Sequence, residues 1–166
     1  MRRSSIYVGK WLSAYIASSI ILGVSALIAI ANQLYYFGVT FPYQFGDALV
    51  FSWVYLAAVL GLTFFFSSLF KTNSLSILTS AILLLFGFDL IQGIVSSLAK
   101  VEPWFVLTYG SSIIGNVMTN PYPTTTTQFG VTNYAPTIPE GLAIMFAYFI
   151  VTSILGLVLF ERKEFT

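Results

Sequence analysis

Four long apolar runs, residues 11–31, 48–66, 75–98 and 142–160, leave this chain few ways to fold. Each is about 20 residues long, which at about 1.5 Å of rise per helical residue covers the roughly 30 Å hydrocarbon layer of a bilayer. A membrane-barrel strand would be about 10 residues long and would alternate polar with apolar positions. These runs are twice that length and apolar on every face, so they are predicted to be helices that satisfy their own backbone hydrogen bonds in hydrocarbon. The expected fold is all-α, a polytopic membrane domain over residues 1–166 with four transmembrane helices. The lipid bilayer is its first partner.

Charge placement agrees. Only 8% of residues are charged and 57% are hydrophobic, with a mean hydropathy of +0.87. A soluble domain of this size needs a charged shell, whereas here the charges fall almost entirely at the borders of the apolar runs. A net charge of +1 excludes a basic surface for nucleic acid as a main theme. The absence of Cys and His removes disulfides, Cys/His metal sites, His-ligated haem and Cys or His catalysis. No Gly-rich phosphate loop ending in Gly-Lys-Ser/Thr is present, so nucleotide-driven work is expected to belong to another chain. No catalytic, cofactor-binding or metal-binding residues are assigned.

The start, with Arg2, Arg3 and Lys10 ahead of an apolar run closing at Ala29-Ile30-Ala31, imitates a secretory signal. The run exceeds the usual signal core of about 7–15 residues, and it is read as a span. Arg2, Arg3, Lys10, Lys71, Arg162 and Lys163 fall on one side of a four-span chain and only Lys100 on the other. The first side is assigned to the cytoplasm, which puts both termini inside a multi-pass protein of the cell membrane. Residues 71–74 are predicted to form a tight turn joining the second and third spans as a hairpin. Residues 99–140 are expected outside and hold five of the six prolines. Within them, 104–118 is too short to cross and too apolar for open water, so it is expected to re-enter the bilayer or lie in the interface. The threonine tract 124–127 is expected to be a floppy or merely hydrated loop rather than a binding feature.

Three groups stand out as functional candidates. Asp89 is the one acidic residue inside a span, about 21 Å beyond the start of the third run and hence in its outer half. Such a group costs roughly 2.5–3.5 kcal/mol in lipid, so it is expected to face protein or water, in a seam with Gln92 and Ser96 and flanked by Gly93 and Ser97. That seam reads either as a transport path or as a hydrogen-bonded clamp. Ser19, Gly23 and Ala26 form a small-residue stripe on the first span, where helix backbones can approach, within one subunit or between subunits. Arg2, Arg3, Lys10 and Lys71 are candidates for contact with a cytoplasmic partner, set against a role in fixing orientation alone.

A basic lead ending in Tyr7-Val8-Gly9-Lys10-Trp11, four spans, and a terminal Phe160-Glu161-Arg162-Lys163-Glu164-Phe165 together resemble a type-2 ATP-binding cassette exporter permease. That family has six spans with both ends inside, a coupling helix before the third and re-entrant helices between the fifth and sixth. The resemblance covers nearly the whole chain and places its spans as the family's C-terminal four, with 104–118 as the re-entrant segment. The family's first two spans have no counterpart before Met1, so a longer start, a companion polypeptide or a shortened copy with another use is expected. The resemblance implies a permease subunit of an exporter, working as a homo- or hetero-oligomer with a cytoplasmic ATP-binding cassette ATPase. The alternative is a structural or accessory subunit of a larger membrane assembly with no path of its own.

Overall fold

The computed structural model describes residues 3–38, 43–70, 72–128 and 131–162. Helix α1 runs Arg3–Phe37 and α2 Gln44–Leu69. Helix α3 is one continuous rod built of an α segment Asn73–Ile82, a π-helical turn Leu83–Gly87, an α segment Phe88–Ile94 and a second π-helical turn Val95–Ala99. Short helices α4 (Leu107–Ser111) and α5 (Ile113–Asn116), strands β1 (Thr126–Gln128) and β2 (Val131–Asn133), and helix α6 (Ile138–Arg162) follow.

Four helices, Ser5–Tyr36, Gln44–Leu69, Ser74–Ala99 and Ile138–Phe160, are long and apolar enough to cross a membrane. Each outruns the apolar stretch that announced it, because helical structure continues past the hydrocarbon boundary. In α1 the extension carries Lys10 within the helix, where its long stem lets an exposed ammonium reach back to the polar boundary. Several side-chain hydroxyls inside the spans are satisfied locally. Ser25, Ser52, Thr63, Ser68 and Thr152 each donate to the carbonyl one turn earlier, at 2.6–3.0 Å.

The helix ends have local causes. Helix α1 stops at Gly38, whose φ of +58° is the left-handed conformation glycine adopts without cost, and its N–H donates to the Leu34 carbonyl at 3.3 Å. Lys100 ends α3 in the same conformation, and Tyr134 donates to its carbonyl at 2.6 Å. Helix α6 opens on Thr137-Ile138-Pro139-Glu140. The Glu140 carboxylate accepts from the Thr137 N–H at 2.8 Å, as in a capping box, and the proline occupies the first turn, where no N–H is needed.

Helices α2 and α6 make the closest pairing. A Cβ on Gly61 would lie 2.7 Å from Thr152 Oγ1, and one on Gly156 would lie 3.3 Å from the Phe65 Cα. Both glycines therefore hold the helices at backbone distance, which is what stabilises helix association where lipid and side chain are equally apolar. Apart from Tyr7, no described side chain of α1 is buried.

The centre of packing lies in the connection between α3 and α6. The buried cluster is Ala58, Leu62, Phe88, Val106, Leu107, Tyr109, Ile113 and Met145, and half of it comes from that connection. The segment dips inward to reach this place. Ser111 lies beside Tyr55, Thr108 bonds Gln92, and the Phe105 carbonyl accepts from Tyr148. Those three partners lie seven, six and six residues inside the apolar runs starting at Ala48, ending at Leu98 and starting at Leu142. By helical rise each is about 9–10 Å from the run's edge, close to a third of a roughly 30 Å hydrocarbon layer. The segment 104–118 is thus re-entrant in its packing: it folds back among the spans rather than standing clear of them.

The threonine tract corrects an expectation. It is not a loose loop: β1 pairs antiparallel with β2, Thr126 opposite Asn133 and Thr127 opposite Thr132. Thr125 Oγ1 also accepts from the Ala135 N–H at 3.2 Å. β-Branched threonines suit such a ribbon. This small sheet is the one departure from an all-α fold among the described residues.

Candidate functional site

The polar seam forms where α3 meets the re-entrant segment. Asp89 and Gln92 lie on the α segment bounded by the two π-helical turns, a helix irregularity that often accompanies functional sites. The Gln92 Oε1 accepts from the Thr108 hydroxyl at 3.0 Å. Asp89 and Ser111 both lie near the hydroxyl of Tyr55 on α2. Three elements therefore converge: α2 through Tyr55, α3 through Asp89 and Gln92, and α4 through Thr108 and Ser111.

Ser96 does not join them. Its hydroxyl donates to the Gln92 carbonyl at 2.7 Å, and Ser97 does likewise to the Gly93 carbonyl at 2.5 Å. Asp89, Gly93 and Ser97, four residues apart, are exposed on α3. Asp89 has no salt-bridge partner among the described residues. A carboxylate exposed at that depth requires water or a second protein surface, since lipid would cost roughly 2.5–3.5 kcal/mol. Tyr55, Thr108 and Ser111 were not singled out from the sequence. The spacing of Thr108 and Ser111, three apart in an apolar segment, was the available signal, because i and i+3 share a helix face.

The re-entrant segment is held by phenols. Tyr148 donates to the Phe105 carbonyl at 2.6 Å, Tyr122 to the Pro136 carbonyl at 2.7 Å, and Tyr109, fully buried, to the Glu102 carboxylate. Burial pushes the Tyr122 phenol above its usual range, which keeps it protonated as a donor. Gly110 and Gly141 bring α4 and α6 into backbone contact: a Cβ on Gly141 would lie 2.8 Å from the Gly110 carbonyl oxygen. A groove of about 410 Å³ runs beside this contact, lined by Trp104, Phe105, Ile144, Tyr148 and Val151 among others. Its walls are almost wholly apolar.

The other predicted groups are scattered. On α1, Ser19 and Ala26 are half-buried, and nothing lies within 4 Å of where a Cβ on Gly23 would stand. Close helix approach at that glycine is therefore not made by the described residues. Arg3 opens α1 and Lys10 is exposed on it, while Arg2 and Lys71 lie outside the described residues.

The seam can hold and orient a polar group through one carboxylate, one amide and hydroxyls. It offers no paired acid and base and no nucleophile beside a base. A family model described as ABC-2 family transporter protein matches residues 1–165. No curated protein and no solved structure matches the chain.

Proposed function

This chain belongs to the ABC-2 transporter family, and from that premise we propose that it is the permease subunit of an exporter driven by ATP hydrolysed on a separate cytoplasmic ATPase. The observation that carries the reading is the family match over almost the whole chain, joined to a polar seam built on a re-entrant helix. Both termini face the cytoplasm of the cell membrane in this reading, since the basic residues gather at that end. Arg2, Arg3, Lys10 and Lys71 then meet the ATPase, and binding of ATP there shifts whole helices between two packings.

The seam faces the path, with Asp89 and Gln92 as polar contacts and Ser96 as a helix-bound neighbour. The exposed side of α3 supports a working unit larger than one chain, either two copies or this chain with a companion. A weakly polar, aromatic-rich surface favours amphiphilic cargo. Co-purification from native membranes tests the proposal. An ATP-binding cassette ATPase at fixed stoichiometry, with hydrolysis altered by the permease, is the expected result. Isolation at every stage without an ATPase would instead favour an accessory subunit.

A further inference from the structure

The seam on α3 carries a carboxylate that this chain does not neutralise, and its surroundings narrow what can. Asp89 is exposed, nine residues from the nearer end of the apolar run 75–98, which places it about 13 Å into a hydrocarbon layer of roughly 30 Å. All seven Lys and Arg fall outside the four apolar runs, so no span offers it a cation. A second copy of the chain brings none to that depth either. Resident phospholipid is no better placed, because its head-group stays at the boundary.

A bare metal ion is a poor fit. Hard divalent cations take about six or more oxygen ligands, whereas here the Gln92 Oε1 already accepts from Thr108. No group of three or more metal-ligating side chains occurs among the described residues. Water or a proton can meet the empty carboxylate, but neither uses the apolar surface around it. Leu85, Phe86, Leu90 and Ile94, on the turns to either side of Asp89, are all exposed. Nothing lies within 4 Å of where a Cβ on Gly93 would stand, which leaves a notch one turn along from the carboxylate. Tyr55, half-buried on α2 near Asp89, adds an aromatic ring, a group that attracts organic cations.

We propose that this face of α3 binds a lipophilic organic cation, its positive centre at Asp89 and its apolar groups over Gly93 and against Phe86, Leu90 and Ile94. Charge and surface then agree: the ligand supplies the one charge that hydrocarbon and protein both lack, and it brings apolar groups for the exposed side chains. The proposal deepens the transport reading and rests on it for the ligand's role as cargo, to which it assigns a charge.

The probe is tetraphenylphosphonium, a permanent cation covered by four phenyl rings; tetraphenylborate has the same shape and the opposite charge. Equilibrium binding is measured on the purified full-length protein in nanodiscs of zwitterionic lipid, after subtracting uptake by empty nanodiscs. Wild type is expected to bind the phosphonium saturably and the borate not at all. Asp89→Asn should weaken phosphonium binding at least about tenfold, as expected for one lost partner of a desolvated charge pair, and Asp89→Glu should recover most of it. Gly93→Leu fills the notch and should weaken binding with the carboxylate intact. Asp47→Asn, which removes an equal charge in the first turn of α2, should bind as wild type does. Equal binding by wild type and Asp89→Asn overturns the proposal, as does equal binding of the borate. Gly93→Cys gives the chain its one cysteine. Complete disulfide dimerisation of that variant in native membranes, unaffected by the phosphonium, would mean that a second copy covers the face and would overturn the proposal too. The binding assay contains no ATPase, so its failure is distinct from a failure of co-purification.

Discussion

Gly141→Ala puts a methyl group against the backbone of the re-entrant segment. The new Cβ would stand 2.8 Å from the Gly110 carbonyl oxygen, 2.9 Å from Ile113 Cδ1, and closer still to Ile113 Cγ2. Neither neighbour can yield cheaply, since one is backbone and Ile113 is 0% exposed. Overpacking of this kind costs about 1–3 kcal/mol, and two rigid obstacles place it toward the upper end. Alanine's helix preference over glycine offsets about 1 kcal/mol, leaving a net loss of roughly 1–2 kcal/mol. Gly115→Ala is the matched control: nothing lies within 4 Å of its Cβ position, so only the helix preference applies. At roughly 2–4 °C per kcal/mol, Gly141→Ala is expected to melt about 5–10 °C below Gly115→Ala in the same detergent. Limited proteolysis should cut the 101–137 connection faster in the former. Equal melting temperatures with equal cleavage would refute the claim that the connection is held at backbone distance from α6.

Gln92→Leu strands the Thr108 hydroxyl in a low-dielectric setting and is expected to cost about 1–3 kcal/mol in thermal unfolding; Gln92→Glu, which keeps an acceptor, should recover part of it. Tyr148→Phe removes the donor to the Phe105 carbonyl and should lower stability by about 1 kcal/mol while hastening proteolysis of the same connection. Asp89→Asn relieves a charge that lipid penalises, so membrane insertion should be equal or better. If Asp89 lines the path, the variant should change export in vesicles that carry the ATPase, and unchanged export would remove it from the path.

The four spans were legible because length and hydropathy are imposed by the bilayer itself: about 20 apolar residues must cross it whatever their neighbours. Which face of each span meets protein was not legible. In a soluble helix the apolar stripe marks the buried side, but lipid tails are as apolar as leucine, and the contrast disappears. Ser19, Gly23 and Ala26 formed the clearest small-residue stripe, yet the intimate contacts are at Gly61 and Gly156, where the small-residue pattern is shorter. For the same reason Asp89 and Gln92 could be placed on one helix, while Tyr55, Thr108 and Ser111 could not be joined to them. The threonine tract failed for another reason: polar β-branched residues are read locally as hydration, and pairing with residues 131–133 is a non-local event.

The distribution of packing says which parts can move. Helices α2 and α6 and the re-entrant segment share glycine contacts, a buried core and phenolic struts, so they form the element least able to deform. Helix α1 is buried at Tyr7 alone, and α3 keeps most of its apolar surface outside the bundle. Displacement of α3 against the α2–α6 unit is therefore the shift of the seam's walls that this packing resists least. The Gln92–Thr108 bond is the tie such a shift would break, and each π-helical turn carries one more residue per turn than the α-helix requires. The two π-helical turns flank the Asp89–Gln92 stretch, so any rotation of its polar side chains relative to the ends of α3 would be taken up there.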